Sequence, residues 1–355
     1  MNDSETIPIR EGEDFDRQAF ETFLRENISN LPDEPMRVRQ FPTGVSNLTY
    51  LIKVGDWEAV MRRPPDGPLP PKAHDMKRES RLLQKLSPHY PYVPKPYVFS
   101  EDKNIIGVPF YIMERKKGFV LDHEFPPGQS VTPDQLRALS HEVVNALAAL
   151  HSVDYKEAGL SDFGYPEGFL QRQVNGWIAR YEKYKTEDIA NVEQLRHWFV
   201  DHIPMSNDSA LIHNDYKLNN MLLSYDLTKI EAILDWEMAT IADPLFDLAG
   251  ALGYWVQDDD PDILKESLPS MTATPGFLRR DEFIHLYSLK TKKEIPEKYM
   301  TFYMAFTYFK LAVVFQQIYY RWKIGQSKDQ RFASFDKNVR NMMTCAYEVV
   351  NKNSH

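Results

Sequence analysis

The sequence predicts an α+β protein with a small, sheet-rich first lobe and a larger, helix-rich second lobe, and three observations carry that prediction. The chain has 355 residues, which at roughly 150 residues per domain suggests about two domains or lobes. Between Val38 and Glu114, short apolar runs alternate with turn residues, the texture of a mainly antiparallel sheet. After Lys117-Gly118, apolar residues recur at helical spacing instead. The expected division is therefore a first lobe over residues 1–115 and a second over 116–355.

In the first lobe, Phe15, Ala19, Phe23 and Leu24 predict an amphipathic helix over about 15–28. Strand-like runs follow at 38–41, 48–54 and 58–62, punctuated by Thr43-Gly44-Val45-Ser46-Asn47 and by Gly55-Asp56. A proline-rich loop, 64–71, precedes a helix at about 74–86, and strands near 97–100 and 110–114 complete the sheet. In the second lobe, Thr132 is a good N-cap, Pro133 sits at the first helical position and Gln135 completes a capping box. Leu136, Leu139, Val143, Leu147 and Leu150 then form one apolar face up to His151. Further helices are expected at 168–185, 189–202, 244–256 and 297–324, with short strands and loops between Ala210 and Trp236.

Composition narrows the function. Hydrophobic residues make up 43% and charged residues 26%, ordinary for a globular chain. Acidic residues outnumber basic ones, 51 to 42, for a net charge of −9. Nucleic acid and anionic membrane surfaces are therefore poor default partners. Cys345 is the only cysteine, which excludes an intrachain disulfide and a cysteine-based zinc cage and fits a reducing, cytoplasmic setting. The acidic N-terminal residues lack the apolar core of a signal peptide. The longest apolar stretch, Tyr299 to Tyr320, is interrupted by Lys310, Gln316 and Gln317, so it reads as a buried helix and not a membrane span.

The chemistry is concentrated in His213-Asn214-Asp215-Tyr216-Lys217-Leu218-Asn219-Asn220, followed by Leu234-Asp235-Trp236-Glu237. This spacing matches the H-x-D-x-K-x-x-N catalytic loop of kinases, with a second aspartate after an apolar strand where D-F-G stands. Phosphoryl transfer needs a carboxylate at the attacking hydroxyl and hard oxygen ligands for Mg²⁺ on the nucleotide phosphates. Asp215 suits the first task. Asn220 and Asp235 suit the second, and Lys217 can neutralise charge on the transferred group. His213 reads more readily as a packed histidine bracing the loop than as a proton shuttle.

With D-W-E in place of D-F-G and then Ala242-Asp243-Pro244-Leu245-Phe246-Asp247-Leu248-Ala249, the chain resembles the aminoglycoside phosphotransferase (APH)/choline kinase family of kinase-like enzymes. Arg62-Arg63-Pro64-Pro65, Ala73-His74, Arg78-Glu79 and Val108-Pro109-Phe110-Tyr111-Ile112-Met113-Glu114 extend the likeness. They point to the branch that includes the kinase-like domain of long acyl-CoA dehydrogenases. The resemblance covers roughly residues 38–325. It implies a bilobal protein-kinase-like fold, ATP and Mg²⁺ as cofactors, and transfer of the γ-phosphate to a small-molecule hydroxyl. It also implies that Asp247 is a structural carboxylate for the catalytic loop.

By the same resemblance, Thr43–Asn47 falls where the family covers the phosphates, with Ser46 as its polar side chain, although one glycine there also suits a plain hairpin turn. Arg62 stands where V-A-I-K places a phosphate-binding lysine, and it has Glu79 as a possible partner, though a planar fork differs from an ammonium point charge. The hinge would lie at Met113–Lys116, where the Glu114 carbonyl and the Lys116 amide would read adenine.

Asp243 follows Asp235 too closely for a peptide-docking activation segment, so a protein kinase is disfavoured. A non-catalytic, nucleotide-binding scaffold is the rival reading. For the acceptor, the acidic run Gln257-Asp258-Asp259-Asp260-Pro261-Asp262 and the aromatics Tyr254, Trp255, Tyr303, Tyr308, Tyr319, Tyr320 and Trp322 would suit a cation if they lined a pocket. Lys310, Arg321 and Lys323 would suit an anion. Hydroxy acids, acyl-CoA-like compounds, amino alcohols and aminoglycosides all stay open as acceptors, as do the oligomeric state and ATP against GTP.

Overall fold

A computed structural model of the chain describes residues 5–42, 47–65, 67, 74–122, 124–125, 131–205 and 208–352. They form two units, Met1–Gly118 with Glu231–Glu237, and Phe119–Ile230 with Met238–His355.

The first unit opens with helix α1 (Arg17–Asn27), whose N-cap Asp16 accepts the N–H groups of Gln18 and Ala19. Then come β1 (Met36–Gln40), β2 (Leu48–Val54), β3 (Trp57–Arg63), α2 (Met76–Leu86), β4 (Pro96–Ser100), α3 (Lys103–Ile106) and β5 (Phe110–Glu114). The five strands pair antiparallel in the order β1-β2-β3-β5-β4. The β2–β3 hairpin sets Val54 opposite Trp57 and turns through Gly55 at φ +56°, a left-handed conformation that glycine adopts without strain. Phe20 and Leu24 of α1 pack on Tyr50, Ile52, Met61, Phe110 and Ile112. Successive strand residues face opposite sides, so Met61 enters that core and Arg62 projects from the other face, where it meets Glu79 of α2.

The sequence placed the switch near residue 115 and the whole 116–355 stretch in the second lobe. In the structure, Glu231–Glu237 groups with the first unit, and packing gives the reason. The Ile233 N–H donates to the Tyr92 carbonyl at 2.7 Å. Trp236 is buried edge-on to Tyr90 and donates its indole N–H to the Ile233 carbonyl at 2.8 Å.

The second unit contains β6 (Phe119–Val120), α4 (Pro133–His151), α5 (Phe169–Tyr184), α6 (Val192–Asp201), β7 (Ala210–Ile212), β8 (Met221–Leu223), β9 (Thr240–Ala242), α7 (Pro244–Tyr254), α8 (Asp262–Ser267), α9 (Arg280–Thr291), α10 (Glu297–Lys323) and α11 (Phe335–Lys352). Two short antiparallel pairs, β6 with β8 and β7 with β9, frame the loops that carry the site. The capping box at Thr132 and Gln135 forms as its spacing predicts. Helix α10 runs through the core with Phe302, Phe306 and Phe309 gathered around Phe199 of α6. Gly253 lets α7 approach it closely, since a Cβ there would lie 2.5 Å from the Thr307 methyl. Among the described residues no helix is long and apolar enough to cross a membrane. Helices α8, α9 and α11 were not anticipated, although Val339, Met342, Met343, Ala346 and Val350 bury one face of α11 at helical spacing.

Candidate active site

In the second unit, the loop from His213 to Asn220 joins β7 to β8 and ends in a short 3-10 turn, Leu218–Asn220. Its backbone is fixed from below by Asp247, in the first turn of α7. That buried carboxylate accepts the N–H groups of His213 at 2.7 Å and Asn214 at 2.8 Å. Asn214 sits at φ +68°, a left-handed conformation that asparagine tolerates better than most residues. His213 is fully buried, and its Nδ1 accepts the Asp215 N–H at 3.3 Å, which is the geometry of a brace. Tyr216 pins the next position by donating its hydroxyl to the Val143 carbonyl of α4 at 2.7 Å.

The Asp215 carboxylate is thereby held partly open to solvent, with two donors on one oxygen. Asn220 Nδ2 lies 2.8 Å from its Oδ2 and Lys217 Nζ 3.0 Å from the same atom. The Asn220 amide nitrogen also donates to the Asp215 carbonyl at 2.9 Å. Lys217 also lies over the Tyr254 ring, 5.0 Å from its centre.

A second layer supports Asp247. His151, at the end of α4, bridges Asp247 (Nε2 to Oδ2, 3.2 Å) and the Tyr287 hydroxyl of α9 (2.7 Å from Nδ1). Burial alone would raise the Asp247 carboxyl, but the bond from His151 and the donated backbone N–H groups hold it below the usual aspartate value. Sequence reading missed His151 and Tyr287 in this role. Only the packing of α9 against α4 brings them together, and no local spacing marks it.

Beside the loop lies a cavity of about 290 Å³ lined mainly by apolar side chains. Lys217 and Tyr216 contribute from the loop, Tyr254 and Trp255 from the end of α7, and Leu311 and Val314 from α10. The acceptor candidates sort accordingly. Tyr254 and Trp255 line the cavity, whereas Tyr303 donates to Asp243 at 2.6 Å and Tyr319 stacks on Trp322. The acidic run is neutralised locally. Asp260 holds Arg280 through two bonds of 2.7 and 2.6 Å, Asp259 pairs with Arg279 at 2.7 Å, and Lys265 reaches Asp262. It does not offer an unpaired wall to a cationic acceptor.

The first unit gathers the other predicted residues. Arg62 forks between Glu79 Oε1 at 2.8 Å and Asp235 Oδ1 at 3.0 Å. Despite this partner, burial leads in raising the Glu79 carboxyl above its ordinary value. Asp235 is held at φ +64°, a sparsely populated conformation of the kind found at functional sites. Two residues on, Glu237 is also pushed up, first by burial and then by Asp235. It accepts from Asn47 Nδ2 at 3.4 Å, while Asn47 Oδ1 meets His74 Nδ1 at 2.8 Å. Sequence reading used Asn47 and His74 only as loop and motif markers.

Glu114 and Lys116 pair with each other at 3.1 Å, and Glu114 also accepts the Lys95 N–H at 3.2 Å. With both side chains engaged locally, a role in reading a base would fall to the backbone. Ser46 and its neighbours 43–45 lie outside the described residues.

Among the described residues no three His, Cys, Asp or Glu side chains form a metal cage. In the first unit, Arg62 Nε is buried without an acceptor among the described residues, a donor available to a phosphate oxygen.

The chain is 31% identical over 348 residues to acyl-CoA dehydrogenase family member 10 of Mus musculus, covering 98% of this chain and 32% of that protein. To acyl-CoA dehydrogenase family member 11 of Gallus gallus it is 31% identical over 345 residues, covering 94% and 43%. The chain thus spans about a third to two fifths of the length of these curated relatives. Among solved structures, a protein from Ralstonia eutropha provisionally described as an aminoglycoside phosphotransferase superposes with a TM-score of 0.82 at 30% identity, covering 96% of this chain and 99% of that one. Aminoglycoside phosphotransferase APH(4)-Ia, solved with ADP and hygromycin B, shares the fold at a TM-score of 0.57 and 15% identity, covering 95% and 99%. Residues 37–270 match the Phosphotransferase enzyme family along a stretch that contains both the Arg62 cluster and the Asp215 loop, and the chain belongs to that family.

Proposed function

We propose that this chain is an ATP- and Mg²⁺-dependent phosphotransferase that moves the γ-phosphate to a hydroxyl of a small molecule with a largely apolar body, a hydroxy acid or acyl-CoA-like compound. The observation that carries the reading is Asp215, bonded to Asn220 and Lys217 beside an apolar cavity in the second unit. Asp215 takes the acceptor's proton as its oxygen forms the new bond to phosphorus and the bond to ADP breaks. Lys217 sits where it can offset charge on the transferred group. Asn220 and Asp235 are the proposed metal ligands, and Mg²⁺, when bound, supplies charge neutralisation on the phosphates. Arg62, oriented by Glu79, would contact phosphate, Ser46 would lie in the covering loop, and Glu114 and Lys116 would hold adenine through the backbone. An apolar cavity and a neutralised acidic run favour such an acceptor over a polycationic aminoglycoside.

A γ-phosphate transfer screen across hydroxy acids, hydroxyacyl-CoAs, amino alcohols and aminoglycosides tests the acceptor class. Asp215→Asn should lower kcat by about 10²–10⁴, the usual worth of a positioned base, with nucleotide affinity nearly unchanged. Full turnover in that variant would remove Asp215 from its role. The scaffold alternative draws on the engagement of Arg62 with Asp235. It predicts that Mg·ATP raises the melting temperature while no acceptor is phosphorylated.

A further inference from the structure

Among the described residues, Lys310, Arg321 and Lys323 lie outside the cavity lining, whereas Lys217 lies in it together with Tyr254. Lys217 bonds to Asp215 Oδ2 at 3.0 Å, with 22% of its own side chain and 28% of the aspartate's exposed. An ion pair so open to solvent holds a long, flexible side chain only weakly. The second hold is aromatic. The Lys217 ammonium lies 5.0 Å from the centre of the Tyr254 ring, within the range at which a ring face attracts a cation. Both chain neighbours of Tyr254 fix it in place. Gly253, just before it, lets α7 close on α10, where a Cβ would meet the Thr307 methyl at 2.5 Å. Trp255, just after it, is buried and donates its indole N–H to the Leu278 carbonyl at 2.7 Å. Burial first, and then the Asp215 charge, push the Tyr254 hydroxyl above the ordinary tyrosine value, so the ring stays a neutral phenol.

We propose that Tyr254 is a positioning residue for phosphoryl transfer, its ring face holding the Lys217 ammonium on Asp215 beside the acceptor cavity. This rests on the phosphotransferase reading above and extends it from the loop to the end of α7. The charge that Lys217 offsets builds up only during transfer, so loss of the ring should slow the step and spare nucleotide affinity. A ring that only filled the cavity wall would act independently of Lys217.

Two readouts on the full chain test it. Trace acetylation with acetic anhydride, resolved by mass spectrometry and run without nucleotide, reads how free the Lys217 amine is. Tyr254→Leu should raise Lys217 labelling at least about threefold relative to the other lysines, and Tyr254→Phe, which keeps the ring face, should bring it back. The second readout is the kcat of Mg·ATP turnover with 6-hydroxyhexanoate as acceptor. Tyr254→Leu should lower it by about 2- to 30-fold, the range set by a cation over an aromatic face, at unchanged nucleotide Kd. Tyr254→Phe should recover most of that loss. In a Lys217→Met background, Tyr254→Leu should cost almost nothing further, because the two side chains act as one unit. Unchanged Lys217 labelling in Tyr254→Leu, or the same fractional loss of kcat with and without Lys217, would overturn the proposal. A Tyr254→Leu chain that loses its folded circular dichroism is replaced by Tyr254→Met, read on the same scale. Absence of turnover by the wild-type chain would count against the phosphotransferase reading itself, and the labelling would still decide whether Tyr254 holds Lys217.

Discussion

The Asp215 loop and the Arg62 cluster reach similar chemical ends by opposite routes. In the loop, Asp215, Lys217 and Asn220 lie within six residues, and a two-residue step and a short turn bring their side chains together. In the cluster, Arg62 meets Glu79, 17 residues away, and Asp235, 173 residues away. The loop's arrangement is a property of local backbone geometry. The cluster's is a property of the packed sheet, of α2, and of a returning segment that Tyr92 and Tyr90 tie to the first unit. The two should therefore fail differently when a partner is removed: the loop should lose rate at little cost in stability, whereas the cluster should lose stability together with its proposed hold on the nucleotide phosphates.

The largest test of that contrast is Arg62→Met. It leaves the Glu79 carboxylate buried and without its guanidinium, which costs about 3–5 kcal/mol when one member of a buried pair is removed. Chemical denaturation should show that loss. The deficit should shrink as pH falls, because a Glu79 already raised above its ordinary value by burial takes up a proton and escapes the penalty. Arg62→Lys should fall between the two, since one ammonium cannot fork to both carboxylates. A destabilisation below about 1 kcal/mol would mean the cluster is not held by its charges.

The same contrast explains what the sequence disclosed. The meeting of Asp215, Lys217 and Asn220 was legible because the three lie close together in one loop. Thr132, Pro133 and Gln135 were legible because a capping box is complete within four residues. The pairing of Arg62 with Glu79 was suggested only by likeness to a family, and the grouping of Asp235 with the first unit was not foreseen, because nothing in Glu231–Glu237 announces that Tyr92 will bind its backbone. His151, Tyr287 and the cavity wall on α10 had no local mark at all.

Tyr287→Phe probes that last, illegible layer. It removes the hydroxyl 2.7 Å from His151 Nδ1 and strands a buried polar atom, a loss of about 1–3 kcal/mol. Asp247 keeps its two backbone donors, so kcat should change less than stability does. Asp247 also gives a sign for pH. Its folded value lies below the ordinary one, so its contribution is complete above the unfolded aspartate value and disappears as pH falls through the folded one. Acid denaturation curves of wild type and Tyr287→Phe should therefore converge no earlier than about pH 4. A variant that lost kcat more steeply than stability would place Tyr287 in the chemistry instead of beneath it.

The smallest effect belongs to the most legible feature. Thr132→Ala deletes the side chain that accepts the Gln135 N–H at 3.3 Å and frees the reciprocal Gln135 contact to the Thr132 N–H at 3.0 Å. Losing such a cap costs typically about 1 kcal/mol. Leu136, Leu139, Val143 and Leu147 remain buried on the same helix, so α4 should persist and only its first turn should fray, visible as faster amide exchange at Asp134 to Leu136. Val143, which anchors Tyr216 through its carbonyl, lies about three turns further along. Turnover should therefore stay within a factor of about 2. If Thr132→Ala slowed the reaction tenfold, the loop would be coupled to the far end of α4, and the separation between locally built rate and globally built stability would fail at its most local point.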